Sequence, residues 1–287
     1  MWAKDIYRRF LADLQTIYTI NEATLITDWV FESIGGILRF ELIKNPEYRI
    51  KPEIAQKLET ALQQLLVHTP VQQIVGEAWF YRMKFFVNNH VLIPRPETEE
   101  LVDLVTKSLI DFPAGTSLKI LDVGTGSGCI SIALKKNFTT AFITALDNSD
   151  KALKIAKKNA AHHQVVIDFF NLDFLNDNHS KALDVFDAIV SNPPYIPFAE
   201  LEMLDKNVTA FEPHSALFVP DKMPLIFYEK IALFGKTHLT PNGKIFVETH
   251  EKYANEVAAL FANTYIDVEV HEDIFGKNRM VSASRIR

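Results

Sequence analysis

Apolar residues recur every three or four positions at the start of the chain. Ile6, Phe10, Leu11, Leu14 and Ile17 fall on one helical face, with Lys4, Asp5, Arg8, Arg9 and Asp13 on the other. The pattern predicts a second helix from Asn21, with Glu22 in its first turn, running through 23–30. Gly35-Gly36 interrupts it before another apolar stretch at 37–43, and Pro52-Glu53 opens a further helix through Leu58, Leu62, Leu65 and Leu66. Four or five short helices without a strand pattern predict a small helical bundle over 1–75. Nothing in it carries chemistry. It serves either as a packing module or as a clamp for a macromolecular substrate, and the pattern does not choose.

After Thr69-Pro70 the rhythm changes. The β-rich runs 79–81 and 84–87 flank Arg82-Met83 and predict a hairpin, so that 76–93 reads as a hairpin linker. Pro94 and Pro96 hold Arg95 in an extended segment, and Glu97, Glu99 and Glu100 precede a helix over 101–110, where negative charge is favourable. From residue 94 to 287, strand-like runs (118–123, 141–147, 165–170, 187–191, 243–249, 265–271 and 280–286) alternate with helical patterns at 127–136, 149–161, 225–239 and 251–263. That alternation predicts an α/β domain with a seven-stranded, mainly parallel, Rossmann-like sheet covered on both faces. The connection 271–279 is too short for a crossover helix, so the last strand should run antiparallel to its neighbour.

Two stretches of this domain carry candidate chemistry. Asp122-Val123-Gly124-Thr125-Gly126-Ser127-Gly128 lies between a strand and a helix, with spacing G-x-G-x-G rather than the dinucleotide G-x-G-x-x-G. This suits a ligand joining an amino acid to a nucleoside, with Asp122 facing the amino group through water. Asp147 ends the next strand, where a carboxylate meets ribose hydroxyls, and Asp173-Phe174 follows the third, offering an acceptor for an adenine amine and a ring for the base. No lysine follows the glycines to hold phosphates. The implied ligand is S-adenosyl-L-methionine.

The second stretch is Ser191-Asn192-Pro193-Pro194-Tyr195, which stops the apolar strand 186–190 on a rigid corner. The Asn192 amide oxygen and the Pro193 carbonyl are two converging acceptors, suited to a substrate nitrogen bearing two hydrogens. Tyr195 adds a ring to pack against a planar group. Asn192, Pro193 and Tyr195 are the candidate catalytic residues, and Asn192, Pro193, Pro194 and Tyr195 the substrate contacts. The corner alone suits a nucleobase amine as well as a side-chain amide.

Charge narrows that choice. The formal net charge of −6 and the lack of a Lys/Arg cluster disfavour a nucleic-acid groove. Cys129 is the only cysteine, which excludes a disulfide framework, and the nine histidines show no H-E-x-x-H spacing, so no metal site is expected. The first residues lack a signal-peptide core and no run reaches membrane-span length, so the expectation is a cytoplasmic protein without membrane association.

With these residues assembled, the chain resembles the class I S-adenosylmethionine-dependent methyltransferases, and more narrowly the release factor glutamine methyltransferases (the PrmC/HemK family). The markers are 92–99 (Leu-Ile-Pro-Arg-Pro-Glu-Thr-Glu), the 122–128 loop, Asn192-Pro193-Pro194-Tyr195 and Phe211-Glu212-Pro213. The resemblance implies methylation of the side-chain amide of the glutamine in a Gly-Gly-Gln motif of peptide chain release factors. It implies cofactor contacts from Gly124, Thr125, Gly126, Ser127, Gly128, Asp147, Asp173, Phe174 and Asn192. It also implies a release-factor-binding role for 1–75, a methyltransferase domain at 94–287 and a monomer. The family's residue before Ile93 is sometimes aromatic; Leu92 gives that wall less capacity to stack. The alternative, a DNA or RNA amino-methyltransferase, shares the corner but predicts a basic groove.

Overall fold

The computed structural model describes residues 2–110, 112 and 117–287, the side chain of His179 excepted. The chain forms two compact units, Met1–Glu77 with Asp205–Phe211, and Ala78–Leu204 with Glu212–Arg287. In the first, the helical periodicity becomes α1 (Ala3–Leu14), α2 (Ile20–Gly35), α3 (Arg39–Lys44), α4 (Pro52–Leu66) and α5 (Val71–Val75). The second helix begins one residue earlier than expected because Thr19 and Glu22 form a capping box. Gly36 ends it in a left-handed conformation. Phe10, Leu14, Phe31, Leu58, Leu62 and Leu65 are fully buried, and each such side chain contributes roughly 1.5–3 kcal/mol of transfer free energy. Phe31 makes T-shaped contacts with Tyr7 and Phe10 at centroid distances of 5.2 and 5.6 Å.

The second unit begins at the hairpin of β1 (Glu77–Phe80) and β2 (Met83–Phe86). Its turn is Tyr81-Arg82, one residue earlier than expected, and both have positive φ (51° and 60°), the geometry of a two-residue hairpin turn. Glu99 Oε1 accepts the Tyr81 N–H at 2.9 Å, holding that backbone. α6 (Pro96–Leu109) starts at the proline, five residues before the expected helix, with Arg95 extended at its N-cap. There follow β3 (Lys119–Val123), α7 (Cys129–Asn137), β4 (Phe142–Asp147), α8 (Asp150–His162), β5 (Asp168–Asn171), α9 (Asp177–Ser180) and β6 (Phe186–Ser191). After the proline corner, β7 (Ile196–Pro197) pairs with β8 (Phe218–Val219), a small ladder the sequence pattern did not show. Between them α10 (Lys206–Thr209) lies in the segment that packs with the first unit, where Gln73 Nε2 donates to the Phe211 carbonyl at 2.9 Å. The 94–287 reading did not anticipate that excursion. α11 (Ile226–His238), β9 (Leu239–Glu248), α12 (Ala254–Ala262), β10 (Tyr265–Glu272) and β11 (Asn278–Ile286) complete the chain.

Among the described residues the main sheet has seven strands in the order β10-β11-β9-β6-β3-β4-β5. β9, β6, β3, β4 and β5 run parallel, and β11 is antiparallel to both its neighbours. The central parallel strands β3 and β6 are buried on both faces, as the interior of a parallel sheet requires, whereas the edge strand β5 is largely exposed. Ile120, Val190 and Phe246 join one apolar cluster, against α6 and α7, while Leu121, Ile189 and Val247 join the other, against α11 and α12. β5 is shorter than the expected 165–170 because Val165 closes the end of α8, its N–H bonded to Ala160 at 3.0 Å. No helix among the described residues is long and apolar enough to cross a membrane.

Candidate active site

Register places the candidate residues abreast. Val123 pairs with Leu146 and with Ser191, Ser191 with Val247, and Asp147 with Asn171. The carboxyl ends of β3, β4, β5, β6 and β9 therefore share one edge, where α/β sheets bind ligands. A cleft of about 780 Å³, counting its open mouth, lies along that edge. Gly124, Gly126, Asp147, Asp173, Phe174, Asn192, Pro193 and Pro194 of the sequence-derived set line it. His90, Leu92, Pro213 and Phe227 add walls.

The glycine loop takes its shape from three left-handed residues, Gly124, Gly126 and Gly128 (φ 77°, 55° and 82°). A Cβ on Gly128 would also stand 3.2 Å from that of Ala156, so α8 packs close against the loop. Asp147 reaches across, its two carboxylate oxygens accepting the N–H groups of Gly126 and Ser149, each at 2.9 Å. Burial raises its pKa, and those two hydrogen bonds pull it back down.

Asp122 was expected to face a ligand amino group, but it lies fully buried beneath the loop and does not line the cleft. It alternates with Leu121 and Val123 on the α7 side of β3, where its Oδ2 accepts from Thr125 (2.7 Å) and Ser131 (2.5 Å). Burial pushes its carboxyl up to about 6 against the pull of these hydroxyls. Its Oδ1 and the nearby Ser127 Oγ are buried without a hydrogen-bond partner. Thr125 and Ser127 are likewise buried. Two unpartnered polar atoms at the loop fit a ligand with a polar or cationic group there, directly or through water.

The proline corner joins residues far apart in the chain. Asn192 Nδ2 donates to Thr98 Oγ1 at 3.0 Å, and Thr98 Oγ1 donates to Glu248 Oε2 at 2.7 Å. The Tyr195 hydroxyl donates to Glu248 Oε1 at 3.2 Å, and Tyr228 donates to the Glu248 carbonyl at 3.0 Å. Tyr195 thus points its hydroxyl at Glu248, and its ring is not part of the cleft lining, where it was expected to face the substrate. Glu248 is buried at the end of β9. Desolvation pushes its carboxyl up to about 7, while the Thr98 and Tyr195 hydroxyls and the Arg279 charge pull it down. Tyr195 is raised well above the ordinary tyrosine value, first by burial and then by the Glu248 charge, and stays a donor.

Three further residues support the walls. Glu212, buried, accepts the Ile93 N–H at 3.0 Å and pairs with Arg95 Nη2 at 2.5 Å, tying the loop that bears Pro213 to the 92–97 segment. Arg95 and Glu212 belong to marked sequence stretches, but their pairing was not read from them. Asn159, buried in α8, bonds the Phe86 N–H and C=O (2.7 and 3.0 Å) and the Ser127 carbonyl (2.8 Å). It joins hairpin, helix and glycine loop. The only sequence signal for it was a polar residue on the apolar face of a helix. Cys129 is a buried helix residue whose thiol burial pushes up to about 12, unsuited to nucleophilic work.

Comparison with known proteins agrees with this geometry. Residues 98–212 match the family model described as methyltransferase small domain, and residues 5–76 the PrmC N-terminal domain. A release factor glutamine methyltransferase of Flavobacterium psychrophilum is 37% identical over 99% of both chains. One of Lactococcus lactis is 41% identical over 84% of both. Among solved structures, a methyltransferase from Pyrococcus furiosus superposes with a TM-score of 0.51 at 18% identity, over 71% of this chain and 88% of that one. A mainly parallel seven-stranded sheet with an inserted antiparallel last strand and a glycine loop after its first strand defines a class I methyltransferase, and the chain is an enzyme of that class. Within it, the chain belongs to the release factor glutamine methyltransferase family.

Proposed function

We propose that the chain transfers the methyl group of S-adenosyl-L-methionine to the side-chain amide nitrogen of the glutamine in the Gly-Gly-Gln motif of peptide chain release factors. The observation that carries this reading is the Asn192 carboxamide, whose nitrogen is engaged by Thr98 so that its oxygen is left as an acceptor in the cleft. Asn192 Oδ1 and the Pro193 carbonyl would each take one N–H of the acceptor amide, fixing its orientation and offsetting positive charge on the nitrogen. Neither group is a base, so the proton released on transfer goes to solvent through the cleft mouth.

The cofactor's sulfonium supplies an already activated methyl. Gly124, Gly126, Asp147, Asp173, Phe174 and Asn192 would hold it from the cleft wall, with Thr125, Ser127 and Gly128 shaping the loop. Asp122 would act from beneath, its unpaired Oδ1 complementing the cationic amino group. Phe174 is fixed for base packing by its edge contact with Phe234 at 5.2 Å.

Residues 1–75 are assigned to binding the release factor, supported by the exposed apolar side chains of Leu25, Phe40 and Ile43 in that unit. The chain acts as a monomer in the cytoplasm, without direct contact to nucleic acid or membrane. The test is incubation with labelled cofactor, a purified release factor and duplex DNA side by side, followed by mass spectrometry. Label on the Gly-Gly-Gln glutamine is expected. Label on DNA instead, or on another release-factor residue, would refute the proposal.

A further inference from the structure

We infer that Glu248 is a positioning residue for methyl transfer, acting through the Thr98 hydroxyl to hold the Asn192 carboxamide with its oxygen toward the acceptor. This rests on the reading of Asn192 as the acceptor clamp. A carboxamide has nearly the same shape either way round, so packing alone does not decide which end faces the cleft. Hydrogen counting does. Thr98 has one hydroxyl hydrogen, and it points at Glu248 Oε2 over 2.7 Å. Toward Asn192 the same oxygen can only accept, so the end at 3.0 Å must be the NH₂. Tyr195 spends its single hydrogen on Glu248 Oε1 at 3.2 Å, so both carboxylate oxygens face donors. That arrangement suits an ionised carboxylate, which accepts and never donates.

The groups that bear on this carboxylate come from several elements. Thr98 and Glu97 lie on α6, Tyr195 on the corner and Arg279 on β11, while Tyr228 on α11 bonds the Glu248 backbone carbonyl. Arg279 favours the ionised form, whereas burial and Glu97 oppose it. Once Glu248 takes a proton, it can donate to Thr98. The Thr98 hydrogen is then free to donate to Asn192, and the amide turns its NH₂ into the cleft, where it repels the acceptor's N–H groups. Transfer should therefore have an acid limb belonging to a residue that touches neither substrate nor cofactor.

The experiment measures kcat, acceptor KM and S-adenosylhomocysteine affinity across pH for the full chain and for Thr98→Ser, Thr98→Val, Glu248→Gln and Asn192→Ala. Thr98→Ser should keep kcat within about threefold, while Thr98→Val loses ~10–100-fold in kcat, less than the ~10²–10³ of a preorganised donor that touches the reacting group, because Thr98 acts through Asn192. Glu248→Gln should lose the acid limb and run at a lower, pH-independent kcat. Cofactor affinity should stay within about threefold in the Thr98 and Glu248 variants, showing that the cleft is folded. Wild-type kcat in Thr98→Val, or an unchanged acid limb in Glu248→Gln, with Asn192→Ala inactive, overturns the relay and leaves the clamp standing. Full activity in Asn192→Ala overturns the clamp itself.

Discussion

Replacing Glu248 by glutamine should change how the stability of the chain depends on pH, independently of any effect on turnover. The carboxyl titrates at about 7 in the folded chain against 4.5 for an unburied glutamate. At 1.36 kcal/mol per pH unit, that difference amounts to roughly 3 kcal/mol. The folded state holds the proton more tightly than the unfolded one. The contribution is therefore fully present below 4.5, is lost as pH rises through about 7, and is flat beyond. Most of the loss, roughly 2–3 kcal/mol, falls between about pH 5 and pH 8. Asp122 works in the same direction, but its carboxyl titrates at about 6 against 3.8, so most of its loss is complete before neutrality. Urea denaturation of wild type and Glu248→Gln at several pH values, followed by circular dichroism, gives the difference directly. It should shift by roughly 2–3 kcal/mol in favour of the variant from about pH 5 to pH 8. A difference that stays constant to within ~0.5 kcal/mol across that range would mean that Glu248 is not desolvated as its burial implies.

Asp147→Asn can no longer accept the Gly126 and Ser149 N–H groups with both side-chain atoms. Affinity for S-adenosylhomocysteine, measured by calorimetry, should fall by about tenfold or more, and wild-type affinity would remove Asp147 from the cofactor site. Asn159→Leu strands three backbone groups of Phe86 and Ser127. A stability loss of roughly 3 kcal/mol or more is expected in denaturant, and a loss under ~1 kcal/mol would show that water replaces the amide. Gly128→Ala forces a left-handed conformation at φ 82° and a 3.2 Å approach to Ala156. It should cost at least ~1–2 kcal/mol, read as a lowered melting temperature, and an unchanged melting temperature would show that the loop adopts another shape.

What the sequence could show depended on how local each signal was. Alternating patterns and the short 271–279 connection were enough for a mainly parallel sheet with an antiparallel last strand, because each strand's burial is written in its own residues. The glycine loop, Asp147 and Asp173-Phe174 were legible for the same reason, since register carries strand ends to one edge whatever the details of packing. Asp122 stands at the expected loop but beneath it, out of the cleft lining. Side-chain alternation along β3 sends it to the α7 face, where the Thr125 and Ser131 hydroxyls explain why a buried carboxyl is tolerated.

Glu248 was invisible for a different reason. It is the last residue of a strand otherwise read for its apolar run, and its partners stand at positions 98 and 195, brought near only by the strand order β9-β6-β3 and by α6 lying over β9. Thr98 was quoted among the markers without a role because one hydroxyl near a helix start reads as a cap. The N-cap is Arg95, and the buried Thr98 hydroxyl is bonded on both sides, to Glu248 and Asn192, as part of a network. The Asn-Pro-Pro-Tyr corner is therefore less self-sufficient than its sequence suggests. The prolines fix where Asn192 stands, but which way its amide faces is decided by a carboxylate 56 positions further along the chain.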